Sequence, residues 1–259
     1  MKKIYFLIFF FTTVFLFHNN LFAQPKSFDE AGVFDQGNQL FSQNDYDGAI
    51  EQFELLLNNG LESPEVYFNL GNCFAQKKEW GKAILNYERA LVLDPNDQTL
   101  LNNLEFANSK TADEIEKIPE FFLLKWWSNI RNFSSSGIWA LLGILLLWGG
   151  IAGLILWLLG KFRSQRKRGF LAGLASLGLS FVFFALAYSS FQVQKNSGSA
   201  IVMVVETPLQ TLPDEISKPI LQIHEGTKVK IIEKLTSWYK VRLENGEIGW
   251  IAETAIEKI

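Results

Sequence analysis

The chain has one cysteine, Cys73, among 259 residues. An intramolecular disulfide is excluded, and so is a multi-cysteine zinc or iron–sulfur site within the chain. Histidine is nearly as scarce: only His18 and His224 occur, which leaves little for metal or hydrolase chemistry. There is no HExxH, no Ser–His–Asp arrangement and no phosphate-binding glycine loop. Charge is sparse at 20% of residues, with a formal net charge of −3, which does not suit a nucleic-acid binder. What the chain has instead is apolar side chains. Apolar side chains make up 48% of it and the mean hydropathy is +0.10. That balance is typical of small soluble domains carrying membrane segments.

The charges are segregated. Residues 24–118 carry 17 acidic and 7 basic side chains, a net of −10; residues 161–168 carry five basic ones and no acid; residues 199–259 carry 9 acidic and 7 basic. At the N-terminus Lys2 and Lys3 precede an apolar stretch from Ile4 to Phe17, then a polar break and Leu21-Phe22-Ala23. This order predicts a secretory signal peptide over 1–23, cleaved after Ala23. The competing reading is a retained anchor, for which the apolar stretch is short.

Residues 30–110 repeat at an offset of 34: Gly37/Gly71, Asn38/Asn72, Tyr46/Trp80, Ala49/Ala83, Ile50/Ile84 and Phe53/Tyr87. The second copy reads Tyr67-x2-Leu70-Gly71-x2-Phe74, then Ala83-x3-Tyr87, then Pro95. It resembles the tetratricopeptide (TPR) repeat in period and pattern. The first copy has Leu61 in the place of the closing proline. The small residues mark a close crossing of two antiparallel helices. Repeats over 30–63 and 64–97 are expected, with a capping helix over 98–110 that covers the open apolar end. Cys73, beside Gly71, reads as small buried core.

The TPR resemblance implies a concave groove lined by the first helix of each repeat, which binds a peptide or protein partner. Its candidate residues here are Phe34, Asn38, Phe41, Phe68, Asn72 and Gln76. Ordinary core is the competing reading for the phenylalanines. Asparagine is an odd choice inside a helix unless its amide is used; the competing reading for Asn38 and Asn72 is two solvated positions.

Residues 119–136 form a linker and interfacial segment. Trp126 and Trp127 with Lys125 and Arg131 suit a helix lying at a membrane surface, or else an extension of the next span. Residues 137–160 and 169–191 contain no charge, and each is long enough to cross a bilayer. The basic loop 161–168 between them belongs in the cytoplasm by the positive-inside rule. Both flanking domains are then extracytoplasmic, in agreement with the export signal. Gly149-x3-Gly153 and Gly169-x3-Gly173 predict close helix packing, within the hairpin or with another protein's helix. Neither span has an ionisable residue, which argues against a transporter or proton pathway.

Residues 199–259 alternate as short strands. The elements Gly226-x2-Val229, Trp238-Tyr239-x-Val241, Asn245-Gly246 and Gly249-Trp250 follow in order, with Asn-Gly a hairpin turn signal. They resemble the bacterial SH3 (SH3b) family, which implies a small barrel and a peptidoglycan or peptide ligand. Its candidate ligand surface is Trp238, Tyr239 and Trp250. Trp250 reads as core with a half-exposed edge; Trp238 and Tyr239 either face a ligand or cover the barrel. Leu209-Gln210-Thr211-Leu212-Pro213-Asp214 replaces the usual Asn-Val-Arg-x-Gly-Pro segment of that family.

The fold class is therefore multidomain: an all-α TPR repeat, a two-helix transmembrane hairpin and a small all-β SH3-like barrel. This order of parts resembles the BatE-type family of the Bat aerotolerance operon. The resemblance implies other Bat membrane proteins as partners, some with von Willebrand A-type domains, and a MoxR-type ATPase on the cytoplasmic side. It implies a role in envelope assembly or oxygen tolerance. The expected function is a non-enzymatic scaffold in the bacterial inner membrane with both soluble domains in the periplasm, without cofactor or metal. The rivals are a peptidoglycan- or peptide-sensing receptor and an accessory subunit of a cell-wall enzyme.

The topology is checked by cysteine labelling. Cysteines introduced in 24–118 and in 199–259 should react with a membrane-impermeant maleimide in intact spheroplasts, and Ser164→Cys only after lysis. Labelling of Ser164→Cys before lysis would overturn the topology.

Overall fold

The computed structural model describes residues 28–113, 121–195 and 198–259. The expected signal peptide, residues 114–118 at the end of the expected helical domain and residues 119–120 of the linker lie outside the described residues. Among the described residues eight helices precede seven strands.

The helical domain starts with two antiparallel pairs: α1 (Glu30–Ser42) with α2 (Tyr46–Asn58), and α3 (Pro64–Gln76) with α4 (Trp80–Leu93). A fifth helix, α5 (Gln98–Asn108), closes the stack. Local chemistry sets the starts. Asp29, Asp45, Ser63 and Asp97 each accept backbone N–H bonds from the first turn that follows, and Pro64 occupies the first turn of α3. The intra-repeat turns are equivalent: Asn44 and Lys78, 34 residues apart, both have φ of 63°. The crossings are equivalent too. A Cβ on Gly37 would lie 2.7 Å from the Phe53 ring, and one on Gly71 would lie 2.5 Å from the Tyr87 ring. Each glycine is the space its paired aromatic fills. Ala49, Phe53, Leu56, Leu70, Ala83 and Leu100 form the center of the core.

The amphipathic helix α6 (Phe122–Asn132) is separate from the span, because the helix breaks at Phe133–Ser135 before α7 (Ser136–Leu159) begins. Trp127 and Ile130 pack on the end of the hairpin, while Phe122, Leu124 and Trp126 face outward. Two indoles pin the junction: Trp139 Nε1 donates to the Arg131 carbonyl (3.0 Å) and Trp127 Nε1 to Ser189 Oγ (3.4 Å).

Helices α7 and α8 (Arg163–Lys195) form an antiparallel hairpin, long and apolar enough to cross a membrane by length and composition. Their seam is built of small residues. A Cβ on Gly153 would lie 2.6 Å from Gly173 Cα. Ser176 Oγ and Ser180 Oγ donate to the carbonyls of Leu146 (2.6 Å) and Gly143 (2.8 Å) on the facing helix. The glycine motifs therefore act within the hairpin, and the buried glycines of α7 are Gly143, Gly150 and Gly153, with Gly149 at the rim. The segment 161–168, expected as a loop, is mostly helix, since α8 starts at Arg163. Arginine and lysine are good helix formers, Gly160 ends α7, and Arg166 Nε closes the turn on the Trp157 carbonyl (3.0 Å).

The C-terminal sheet has the strand order β3-β2-β6-β5-β4-β1-β7 with antiparallel neighbors: β1 Ser199–Val202, β2 Glu206–Gln210, β3 Pro219–His224, β4 Lys228–Leu235, β5 Trp238–Arg242, β6 Ile248–Ala252 and β7 Ile256–Lys258. Register shifts at Leu209/Gln210 and Ile231/Glu233 bend it toward closure. Gly226 (φ 91°) and Gly246 (φ 89°) take turn conformations that favor glycine.

Ala83 is fully buried at the α3–α4 crossing, so Ala83→Leu should cost about 1–3 kcal/mol by overpacking. Amide exchange across α3 and α4 in the full chain should quicken; unchanged exchange would contradict this packing.

Candidate partner-binding surfaces

The face of the first helices, α1, α3 and α5, carries a repeated amide contact. Asn69 Nδ2 donates to Asn38 Oδ1 (2.8 Å), and Asn103 Nδ2 donates to Asn72 Oδ1 (3.1 Å). Tyr87 Oη also donates to Asn72 Oδ1 (2.8 Å). Both asparagines of the 34-residue repeat thus clip one first helix to the next. Asn69 and Asn103, their donors, are also 34 residues apart. That spacing was the available signal for two residues the sequence reading missed.

Of the other groove candidates, Phe34, Phe41 and Phe68 are half-buried, with one edge on the core. Phe34 packs edge-on to Phe53, Phe41 edge-on to Tyr46, and Phe68 tilts on Tyr87. Asn38 and Gln76 remain exposed, while Asn72 is half-buried between α4 and α5. Cys73 is buried. Burial pushes its thiol up to about 12, so almost no thiolate forms at neutral pH.

In the barrel, strand alternation sorts the three aromatics. Tyr239 and Val241 of β5 point inward, and Trp238 and Lys240 point outward. Tyr239 is 3% exposed and its hydroxyl donates to Glu253 Oε1 (3.0 Å), so its ring offers no face to a ligand. Trp250, expected as core, is outward and half-buried, opposite Lys240, whose Nζ lies 5.8 Å from the indole centroid. The core place beside it belongs to Ile251, because β6 alternates Gly249 in, Trp250 out, Ile251 in. Trp238 and Trp250 lie diagonally on neighboring strands and remain the aromatic surface of the barrel.

A third surface is already occupied. The barrel docks on α4 of the helical domain. Ile201, Met203 and Ile259 join the helical core, while Ala200 and Val202 of the same strand β1 point into the barrel. α4 lacks a side-chain cap of its own at Glu79. Glu225 of the barrel supplies one, accepting from the Gly81 N–H (3.1 Å). In return Asp113, just after α5, accepts from His224 N (2.7 Å) and Thr227 Oγ1 (2.6 Å) and contacts His224 Nδ1 (2.7 Å). Lys228–Glu88 (2.6 Å) and Arg89–Glu257 (2.9 Å) complete the polar rim. Burial alone would raise the Asp113 carboxyl, but its hydrogen bonds from Thr227 and His224 outweigh that and hold it below its usual value of 3.8.

Known families match in the same places. Residues 64–97 match the tetratricopeptide repeat, and residues 212–257 match the bacterial SH3 domain. A tetratricopeptide repeat and a bacterial SH3 domain are therefore present. A curated relative, BBSome complex member BBS4 of Bos taurus, is 29% identical over 105 residues, covering 36% of this chain and 20% of that protein. The chain thus spans about a fifth of the length of the curated relative it matches.

Asp113→Ala removes the acceptor of a half-buried amide and should cost about 1 kcal/mol, read as faster amide exchange at His224. A carboxyl lowered by folding stabilises above its unfolded pKa and loses that contribution as pH falls through the folded value. The difference between wild type and Asp113→Ala should therefore hold from neutral pH down to about 5 and shrink only below 3.8. A difference that disappears between pH 7 and 5 would contradict the role of the carboxylate.

Proposed function

We propose that this protein is a non-enzymatic scaffold anchored in the bacterial inner membrane, with its TPR and SH3b modules held together on the periplasmic side. The observation that carries this reading is the dock. Two interaction modules, separated in sequence by an apolar hairpin, pack on each other at one end of it. A two-helix hairpin that crosses a bilayer returns its flanks to the same side, as this contact needs. The basic cluster at the opposite end supports a cytoplasmic turn. The order of parts supports a place in a Bat-type envelope complex, with other Bat membrane proteins recruited through the groove face.

The outward Trp238 and Trp250 favor a second reading, in which the barrel binds peptidoglycan or peptide and the TPR face relays to a partner. Aromatic faces beside a lysine suit a sugar or peptide ligand.

Site-specific photo-crosslinking separates the two. A photoreactive residue at Asn38 or Gln76 should crosslink a membrane protein in cells, and one at the exposed Glu51 of α2 should not. Crosslinking from Trp250 but from neither groove position would assign recruitment to the barrel and overturn the scaffold reading.

A further inference from the structure

Between the helical domain and the nearby end of the hairpin lies a cavity of about 420 Å³. That volume is within the range of about 300–1,000 Å³ usual for small-molecule sites. One wall is the end of α4 and the turn after it, including Asp94; the facing wall is the α6–α7 junction, with Arg131, Ser134 and Ser135; Ile138 of α7 and Val193 of α8 form the apolar side. The domain wall is mixed, with Val92, Leu93 and Pro95 beside Asp94. At the α6–α7 junction the Arg131 guanidinium and the serine hydroxyls stand next to the apolar side, which is continuous with the two spans.

The depth of the cavity is fixed by the tryptophans. Trp127 and Trp139 hold α6 across the span ends through their indole N–H bonds to Ser189 and the Arg131 carbonyl. The exposed ring on the same helix, Trp126, is the kind that sits at the level of lipid headgroups. Exposed Phe122 and Leu124 continue the same layer along α6.

We propose that this cavity binds the headgroup of a phospholipid from the adjacent leaflet. The proposal rests on the membrane-spanning reading of the hairpin. The phosphodiester lies against Arg131 and the serine hydroxyls, since arginine matches phosphate oxygens in geometry and charge. Asp94 faces the ammonium of an ethanolamine headgroup. The glycerol and the start of the acyl chains follow Ile138 and Val193 toward the bilayer. A soluble phosphate compound would leave that apolar wall unused.

The test is native mass spectrometry of the full chain released from detergent micelles doped with phosphatidylethanolamine. Soluble glycerophosphoethanolamine is the second arm. The expected result is one retained phosphatidylethanolamine per chain and no retained soluble headgroup. Retention should fall about tenfold or more in Arg131→Gln, the size of losing one charge-assisted hydrogen bond. Val193→Trp, which fills the apolar side and leaves every charge in place, should lower it similarly. Equal retention by wild type and both variants would overturn the site. Retention of the soluble compound in place of the lipid would overturn the lipid assignment. A chain that alkaline carbonate strips from membranes would defeat the membrane reading and the proposal with it; a chain that resists carbonate and retains no lipid would defeat the proposal alone.

Discussion

Strand β1 is buried on both faces, and the arrangement of the two soluble modules depends on it. Ile201 points into the helical core and its neighbors Ala200 and Val202 point into the barrel. One short strand therefore belongs to two cores. Around it each module completes the other's backbone. Glu225 caps α4, which has no side-chain cap of its own, and Asp113 takes up the His224 amide. A helix start and a turn amide left without partners at a buried contact would each be costly, so neither surface is suited to standing alone. The contact also sets what stays open. The barrel covers α4, a second helix of its repeat, and leaves the face of α1, α3 and α5 free.

That free face is held together by its own polar groups. Asn69 with Asn38, and Asn103 with Asn72, give the same bond between successive first helices. Two repeats alone would leave an apolar end exposed. The second bond fastens the closing helix α5, which buries Leu100 and Ala107 against the stack. The asparagines are thus part of the frame of this face, and Gln76 beside them stays exposed. The half-buried phenylalanines serve both purposes, with one edge in the core and one toward the outside.

The hairpin is stabilised by a different balance. For helices long and apolar enough to cross a membrane, lipid tails would be as apolar as leucine, so burying large side chains between them gains little. Gly143, Gly150 and Gly153 let the backbones approach, and Ser176 and Ser180 bond across the seam. Many large apolar side chains are left outside, Leu145 and Phe181 among them. Helix α6 lies across the end of this pair, fixed by Trp127 and Trp139.

Much of this could be read from local chemistry. The 34-residue period, the small–aromatic pairs Gly37/Phe53 and Gly71/Tyr87, the uncharged spans and the Asn245-Gly246 turn each act within a short stretch of chain, so composition and spacing determined the helical repeat, the hairpin and the barrel. Strands β2 and β3 were hidden, because their segment departs from the usual SH3b pattern and pairs across a long loop. The double burial of β1 was not legible either, since apolar residues such as Ile201 and Val202 do not say what covers each face. Which face of β5 and β6 turned inward was decided by register, and it placed Tyr239 inside and Trp250 outside. The pairing of Glu225 with Gly81, and of Asp113 with His224, was decided only by tertiary structure. Those partners lie 144 and 111 residues apart, and no local pattern links groups that meet only after both cores have formed.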